Sequence, residues 1–213
     1  MKNVKICGLQ DMAMIDVAIN AGAEHLGFVH FQKSPRHLEL QAIENLTNYV
    51  GDKCMTWVVL AKPSIEVLRD ISQHVPSVGG LQIHGDITDE MMHLVKAIRP
   101  DMNFMRAYSV ADQSDFPSDQ EMRKYDFVLF DAKPSPEDKL PGGNGTRFNW
   151  QIMQDFDVPV PWFLAGGLNA GNVKDAIFQS GAHMVDVSSG VEISPGQKDA
   201  NLIRSFISAV ITT

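Results

Sequence analysis

Several apolar runs in the chain end on a polar or reactive side chain, often beside glycine: Cys7-Gly8, Ser34-Pro35-Arg36, His84-Gly85, Asp131, Gly166-Gly167 and Ser188-Ser189-Gly190. A thiol at the carboxyl end of a strand, with Gly8 freeing the backbone behind it, sits where α/β proteins keep reactive groups. Taken alone, Cys7 fits a small buried hydrophobe better, since free cysteine is among the most buried residue types. Its company reverses that reading. Glycine lets backbone amides approach an anion closely, and a helix N-terminus adds favourable partial charge. One such turn could be a tight corner only; two in succession, at Gly166-Gly167 and Ser188-Ser189-Gly190, point to a phosphate. The expectation is an enzyme acting on a phosphorylated ligand.

The elements that would position these groups alternate along the whole chain. Val4 to Leu9 reads as a buried strand, followed by a helix capped by Asp11 and carrying Ile15, Ala18 and Ile19. Further strand-like runs are His25–Phe31, Met55–Leu60, Gly80–Gly85, Phe104–Ser109, Tyr125–Asp131, Trp162–Ala165 and Met184–Val187. Helical patterns separate them: Ala42–Tyr49, a Ser64-capped run, Thr88–Ile98, a shorter run between Ser118 and Lys124, one beginning near Asn149, Asn172–Ser180 and a last one at Asp199–Ile211. Nearly continuous apolar strands fit a parallel sheet covered on both faces. About eight strand–helix units is the number that closes a (β/α)8 TIM barrel, whose active site lies at the carboxyl ends of the strands. The expected fold class is therefore α/β, a single barrel domain over residues 1–213. A doubly wound open sheet would need a glycine-rich phosphate fingerprint at the first turn, and Cys-Gly-Leu-Gln-Asp is not one.

Composition narrows the function classes. A formal charge of -8 disfavours a nucleic-acid or anionic-membrane surface, so any anion site must be locally positive. No apolar run has the length of a membrane span, and the start lacks a signal-peptide layout. Cys7 and Cys54 lie in separate strands without metal spacing, which suggests reduced thiols in a cytoplasmic protein. The loop from Ala132 to Arg147, with Pro141-Gly142-Gly143-Asn144-Gly145, is long for a compact α/β domain and is expected to order over the ligand.

Lys5-Ile6-Cys7-Gly8, Gly27-Phe28 with Ser34-Pro35-Arg36, Gly80-Leu81-Gln82-Ile83-His84-Gly85, Asp131, Gly142-Gly143-Asn144-Gly145 with Phe148 and Trp150, Leu164-Ala165-Gly166-Gly167-Leu168 and Asp186-Val187-Ser188-Ser189-Gly190-Val191-Glu192 with Pro195-Gly196-Gln197-Lys198-Asp199 occur in an order and spacing that together resemble the phosphoribosylanthranilate isomerase family of tryptophan biosynthesis. The resemblance implies a (β/α)8 barrel that isomerises N-(5-phosphoribosyl)anthranilate to an open-chain aminodeoxyribulose phosphate without a cofactor or metal. It implies Cys7 as general base, Asp131 as general acid, and Arg36 on the anthranilate carboxylate. His84, Gly143, Gly145, Gly166, Gly167, Ser188, Ser189 and Gly190 are the further candidate substrate-binding residues. For His84, which shares strand parity with Gln82, a supporting role is as good a reading as a catalytic one. Leu9-Gln10 and Asn144 depart from the commonest family pattern without touching these residues.

The chemistry requires Asp131 neutral and Cys7 a thiolate at the start, with positive charge or amide dipoles lowering the thiol. The fork of Arg36 suits a bidentate carboxylate. The partner is expected to be a small phosphosugar, with oligomeric state open. The alternatives are another phosphosugar barrel, such as indole-3-glycerol-phosphate synthase or an epimerase, and a non-catalytic phosphate-binding paralogue. Strand parity adds one structural expectation. Lys5, two residues before Cys7, should point inward a layer deeper and pair with Asp186 on the last strand, with Arg106 on the fifth strand as a further partner.

Overall fold

The computed structural model describes residues 2–133, 149–154 and 156–213. Eight parallel strands close on themselves in sequence order. They are β1 (Asn3–Cys7), β2 (His25–Val29), β3 (Met55–Ala61), β4 (Gly80–His84), β5 (Asn103–Val110), β6 (Phe127–Ala132), β7 (Trp162–Leu164) and β8 (Met184–Val187). The helices are α1 (Met12–Ala21), α2 (Leu40–Val50), α3 (Ile65–His74), α4 (Asp89–Ile98), α5 (Asp119–Met122), α6 (Val173–Ser180) and α7 (Ala200–Ile211). A short hairpin, β9 (Glu192–Ser194) with β10 (Gln197–Lys198), stands between β8 and α7.

Capping residues set several of the helix starts. Asp11 accepts from Met14 N at 2.8 Å, Thr88 from Met91 N at 3.2 Å, and Asp199 from both Asn201 N and Leu202 N. Two elements fall short of the sequence pattern. The run after Ser118 makes only the four residues of α5, and the run near Asn149 makes one 3-10 turn, Trp150–Met153. Pro159 and Pro161 account for part of the second shortfall, because each lacks an N–H and biases the residue before it away from helix.

The side chains between barrel and helices form the main core: Ile6, Leu26, Val58, Leu81, Ile83, Val128, Phe130 and Val185 meet Ile15, Ile43, Leu68, Val95, Ile177 and Phe206. The opposite parity fills the barrel interior. Trp57, Met105, Ala107, Leu129, Phe163 and Ala165 pack together there, and Cys7, Val29 and Val59 make a smaller cluster toward the mouth. Because β5 sends Met105 and Ala107 inward, Arg106 must point out. Its guanidinium reaches Ile83 O, Ala107 O and the Asp86 carboxylate, so the expected sharing of the Lys5–Asp186 pair with Arg106 does not occur.

Asp126 accepts from Phe104 N at 2.8 Å at the closed end, a structural contact. Among the described residues no helix is long and apolar enough to cross a membrane.

Candidate active site

Barrel closure sets β1 beside both β2 and β8, with Lys5 level with Asp186 and Cys7 level with Gly27. Lys5 is fully buried and donates to Asp186 at 2.8 Å, as strand parity requires. A Cβ on Gly27 would meet Cys7 Sγ at 3.0 Å and Lys5 Nζ at 3.1 Å. The absence of a side chain at Gly27 is therefore what lets a thiol and an ammonium share this part of the interior.

Above them opens a cleft lined by Cys7, Ser34, Arg36, Gln82, His84, Asp131, Asp186 and Ser188, with Val29, Phe31, Val59 and Leu60 as apolar walls. The structure thus brings Cys7, Asp131, Arg36, His84 and Ser188 to one place. A second recess shares Asp131, Asp186 and Ser188 with it and continues along Ala165, Gly166, Gly167, Leu168 and Ser189. The two glycine turns are therefore neighbours in space. Gly166 has φ of 91°, and a Cβ there would meet Ala132 N at 2.7 Å and Asp131 Oδ1 at 3.2 Å. Only glycine suits that backbone, and it keeps the turn against the Asp131 carboxylate. Gly190 lies in the single 3-10 turn Ser189–Val191 that follows β8, where a side chain would run into Leu168 O. Gly143 and Gly145 lie outside the described residues, as do most of the expected loop and Phe148.

Arg36 is held differently from the simple clamp that sequence suggests. Its Nε and Nη2 donate to the two oxygens of Glu192 at 2.7 and 2.8 Å, so one bidentate edge of the guanidinium is already taken. The end-on edge, Nη1 with Nη2, is the one left for a ligand. Lys198, also buried, donates to Glu192 Oε1 at 2.7 Å and to Ser188 O at 3.0 Å, and Ser188 Oγ donates to the Cys7 carbonyl at 3.1 Å. A continuous chain of polar contacts therefore runs from Arg36 through Glu192, Lys198 and Ser188 to the backbone of Cys7. Glu192 and Lys198 had no assigned role in the sequence reading. The available signal was their position, one charge on each side of the Pro195-Gly196 turn directly after the last strand.

Electrostatics in the cleft is a contest between desolvation and three cations. Burial pushes the Cys7 thiol up from its ordinary value. Lys5, Lys198 and Arg36 pull it down and Asp186 pushes it up, and the net direction is up. Burial thus opposes the thiolate that the chemistry requires. Burial would lower Lys5, but the Asp186 and Cys7 contacts outweigh it and hold the ammonium above its usual range. Burial would raise Glu192, but the Arg36 hydrogen bond and the Lys198 charge hold it below. Lys198 itself is lowered, chiefly by burial, with Glu192 opposing. Burial, with Lys5 and Arg106 adding to it, brings His84 to about 4, so the ring is neutral. Gln82 Nε2 donates to His84 Nε2 at 3.0 Å, which puts the ring proton on Nδ1. His84 is thus a neutral polar wall of the cleft. Cys54 donates to Ala23 O at 3.0 Å, and its thiol is pushed up to about 11, mainly by burial. It is a packing residue, and both cysteines are free.

A closed eight-stranded barrel with a thiol, a carboxyl group and an arginine at its mouth, beside two glycine turns, defines a phosphosugar-processing (β/α)8 barrel. Comparison with known proteins gives the family. Residues 4–209 match the model of N-(5'-phosphoribosyl)anthranilate (PRA) isomerase, and the chain belongs to that family. The N-(5'-phosphoribosyl)anthranilate isomerase of Brucella canis is 38% identical over 210 residues, covering 98% of this chain and 93% of that protein. Phosphoribosyl anthranilate isomerase from Thermotoga maritima superposes with a TM-score of 0.83 at 28% identity, with both chains covered completely. A phosphoribosyl anthranilate isomerase in complex with reduced 1-(o-carboxyphenylamino)-1-deoxyribulose 5-phosphate superposes with a TM-score of 0.80 at 26% identity, again over 100% of both chains.

Proposed function

We propose that this protein isomerises N-(5-phosphoribosyl)anthranilate to 1-(2-carboxyphenylamino)-1-deoxyribulose 5-phosphate, with Cys7 and Asp131 as its base and acid. The observation that carries the reading is their placement: a thiol on β1 and a carboxyl group on β6 line one cleft that leads directly to the glycine turns. The phosphate takes the recess of Gly166, Gly167, Ser188 and Ser189. The anthranilate carboxylate takes the open edge of Arg36, whose other edge Glu192 holds in place.

The steps balance with one acid and one base. Asp131, as the carboxylic acid, protonates the furanose oxygen; the C1–O bond breaks and the nitrogen lone pair forms the C1 iminium. The iminium acidifies the C2 hydrogen, which the Cys7 thiolate removes, and the electron pair forms the C1–C2 double bond of an enolamine. Return of a proton to C1 and loss of one from the C2 hydroxyl gives the ketone and restores both side chains.

The raised Cys7 thiol gives this scheme a particular form. Thiolate with carboxylic acid holds the same number of protons as thiol with carboxylate, so moving the thiol proton to the carboxyl group makes the reactive pair without any proton from solvent. Substrate favours it from both sides. Its phosphate, next to Asp131, opposes a charged carboxylate, and the developing iminium favours a thiolate. The same reading makes the reaction cytoplasmic, which two free thiols support.

The test is a fluorescence assay of freshly prepared phosphoribosylanthranilate. Addition of catalytic amounts of the purified protein is expected to speed the loss of anthranilate-type fluorescence and to yield the carboxyphenylamino ketose. Binding of the reduced product analogue without any acceleration would favour the non-catalytic alternative.

A further inference from the structure

On the outward face of the β2 end, one nitrogen each of His30 and His37 and a carboxylate oxygen of Glu39 lie within 4.8 Å of one another. None of the three lines the cleft. Their backbone is tightly held: His30 N donates to Val59 O at 2.9 Å, His37 N to Ser34 O at 3.1 Å, and Leu38 N to Val29 O at 2.8 Å. His30 Nδ1 lies 2.9 Å from Leu38 O. A carbonyl only accepts, so this nitrogen carries the proton and Nε2 keeps its lone pair. Donation of the second ring N–H to a backbone carbonyl is the arrangement that orients metal-binding histidines. His37 Nε2 is 3.1 Å from Glu39 Oε1, while its buried Nδ1 has no hydrogen-bond partner. The two rings stand with centroids 5.2 Å apart. Glu39 precedes α2 but makes no capping bond, its carboxylate turning to His37 instead.

We propose that His30, His37 and Glu39 form a binding site for a divalent transition-metal ion of the zinc class, separate from the catalytic cleft. Two imidazoles and one carboxylate are a donor set that zinc takes with a water in the fourth position. At Zn–N and Zn–O lengths of about 2.0–2.1 Å, tetrahedral ligand atoms sit roughly 3.3 Å apart. The 3.1 Å between His37 Nε2 and Glu39 Oε1 is already close to that spacing. The remaining closure, from at most 4.8 Å among the three ligand atoms, falls to small rotations of the two imidazole rings and of the Glu39 side chain, which is 76% exposed. An ion there would tie the end of β2 to the segment that follows Arg36, so occupancy would stiffen the loop that presents the arginine.

The experiment is a calorimetric titration of the metal-free protein with zinc chloride, paralleled by the absorption spectrum with cobalt(II). One equivalent is expected to bind, and the cobalt spectrum should show visible bands without a sulfur charge-transfer band. His30→Ala should weaken binding roughly tenfold to hundredfold. Glu39→Gln, an exposed change that spares the fold, should weaken it in the same direction. Saturating zinc should raise the melting temperature of the parent and not of His30→Ala. Absence of binding by the parent at submillimolar zinc would overturn the proposal. So would affinity unchanged in both variants, or a thiolate–cobalt band that survives His30→Ala and places the ion on Cys7.

Discussion

Lys5 Nζ lies 2.8 Å from Asp186 Oδ1 across the seam where the first strand meets the eighth. The pair sits directly below Cys7, and both partners act on that thiol: Lys5 favours the thiolate and Asp186 opposes it. Removing either partner leaves the other as an uncompensated buried charge. Lys5→Met and Asp186→Asn are each expected to cost about 3–5 kcal/mol in denaturant unfolding. The double variant should recover much of that loss. Additive losses in the double variant would show that the two charges are not coupled.

Arg36 and Glu192 are 156 residues apart in sequence and make two hydrogen bonds below 3 Å. Arg36→Met is expected to raise KM roughly tenfold to hundredfold, the worth of one charge-assisted contact. Glu192→Gln should raise KM less, since the guanidinium stays but loses its charged anchor, and should lower stability by exposing Arg36 and Lys198 to each other. Steady-state kinetics of Glu192→Gln matching the parent's would show that the anchor does not position the arginine.

How much of this was legible before the structure is seen best at β1. Parity along Lys5-Ile6-Cys7 and Asp186-Val187-Ser188 suffices to pair the lysine with the aspartate, because a closed barrel leaves one inward layer for both. The same rule, applied to the inward set Met105 and Ala107, excludes Arg106; the error lay in assigning it a charge role before its parity. Cap residues made the starts of α1, α3 and α4 readable to within a residue or two. The protonation of Cys7 was not readable, because the cations beside it are visible in the sequence whereas the depth of its burial is not. Glu192 and Lys198 were hidden for another reason. Their contact with Arg36 joins the loop after β2 to the loop after β8, which only closure of the barrel brings together.

The thiol shift has a kinetic signature. A base held by burial above its ordinary 9.0 sets where the kcat/KM profile bends on the alkaline side. The alkaline fall should therefore begin above pH 9, and thiolate absorbance of Cys7 in a Cys54→Ser background should appear only in the same range. An absorbance step near neutral pH would mean that the resting group is the thiolate after all.

His25 and His84 are both lowered to about 4, with burial the first cause and the Lys5 charge adding to it. The unfolded chain protonates each ring near 6.5 while the folded chain resists until about 4. Their effect on stability is therefore absent above pH 6.5, and stability falls as pH drops through the window between those values. For His25, tucked under Trp57 Nε1 at 3.1 Å, the loss amounts to about 3 kcal/mol. Imidazole resonances of both residues should hold steady between pH 8 and 5. Ordinary titration near 6.5 would contradict the burial and charge assigned to them.

The most direct test of the catalytic pair is turnover of phosphoribosylanthranilate by Cys7→Ser, with Asp131→Asn measured alongside. Both proteins are expected to fold, to bind the reduced product analogue within about tenfold of the parent, and to lose about a thousandfold or more in kcat. A serine hydroxyl supplies almost no oxyanion at neutral pH, and an amide has no proton to give the furanose oxygen. A folded Cys7→Ser protein that turns over substrate within a few-fold of the parent rate would contradict the assignment of Cys7 as the base.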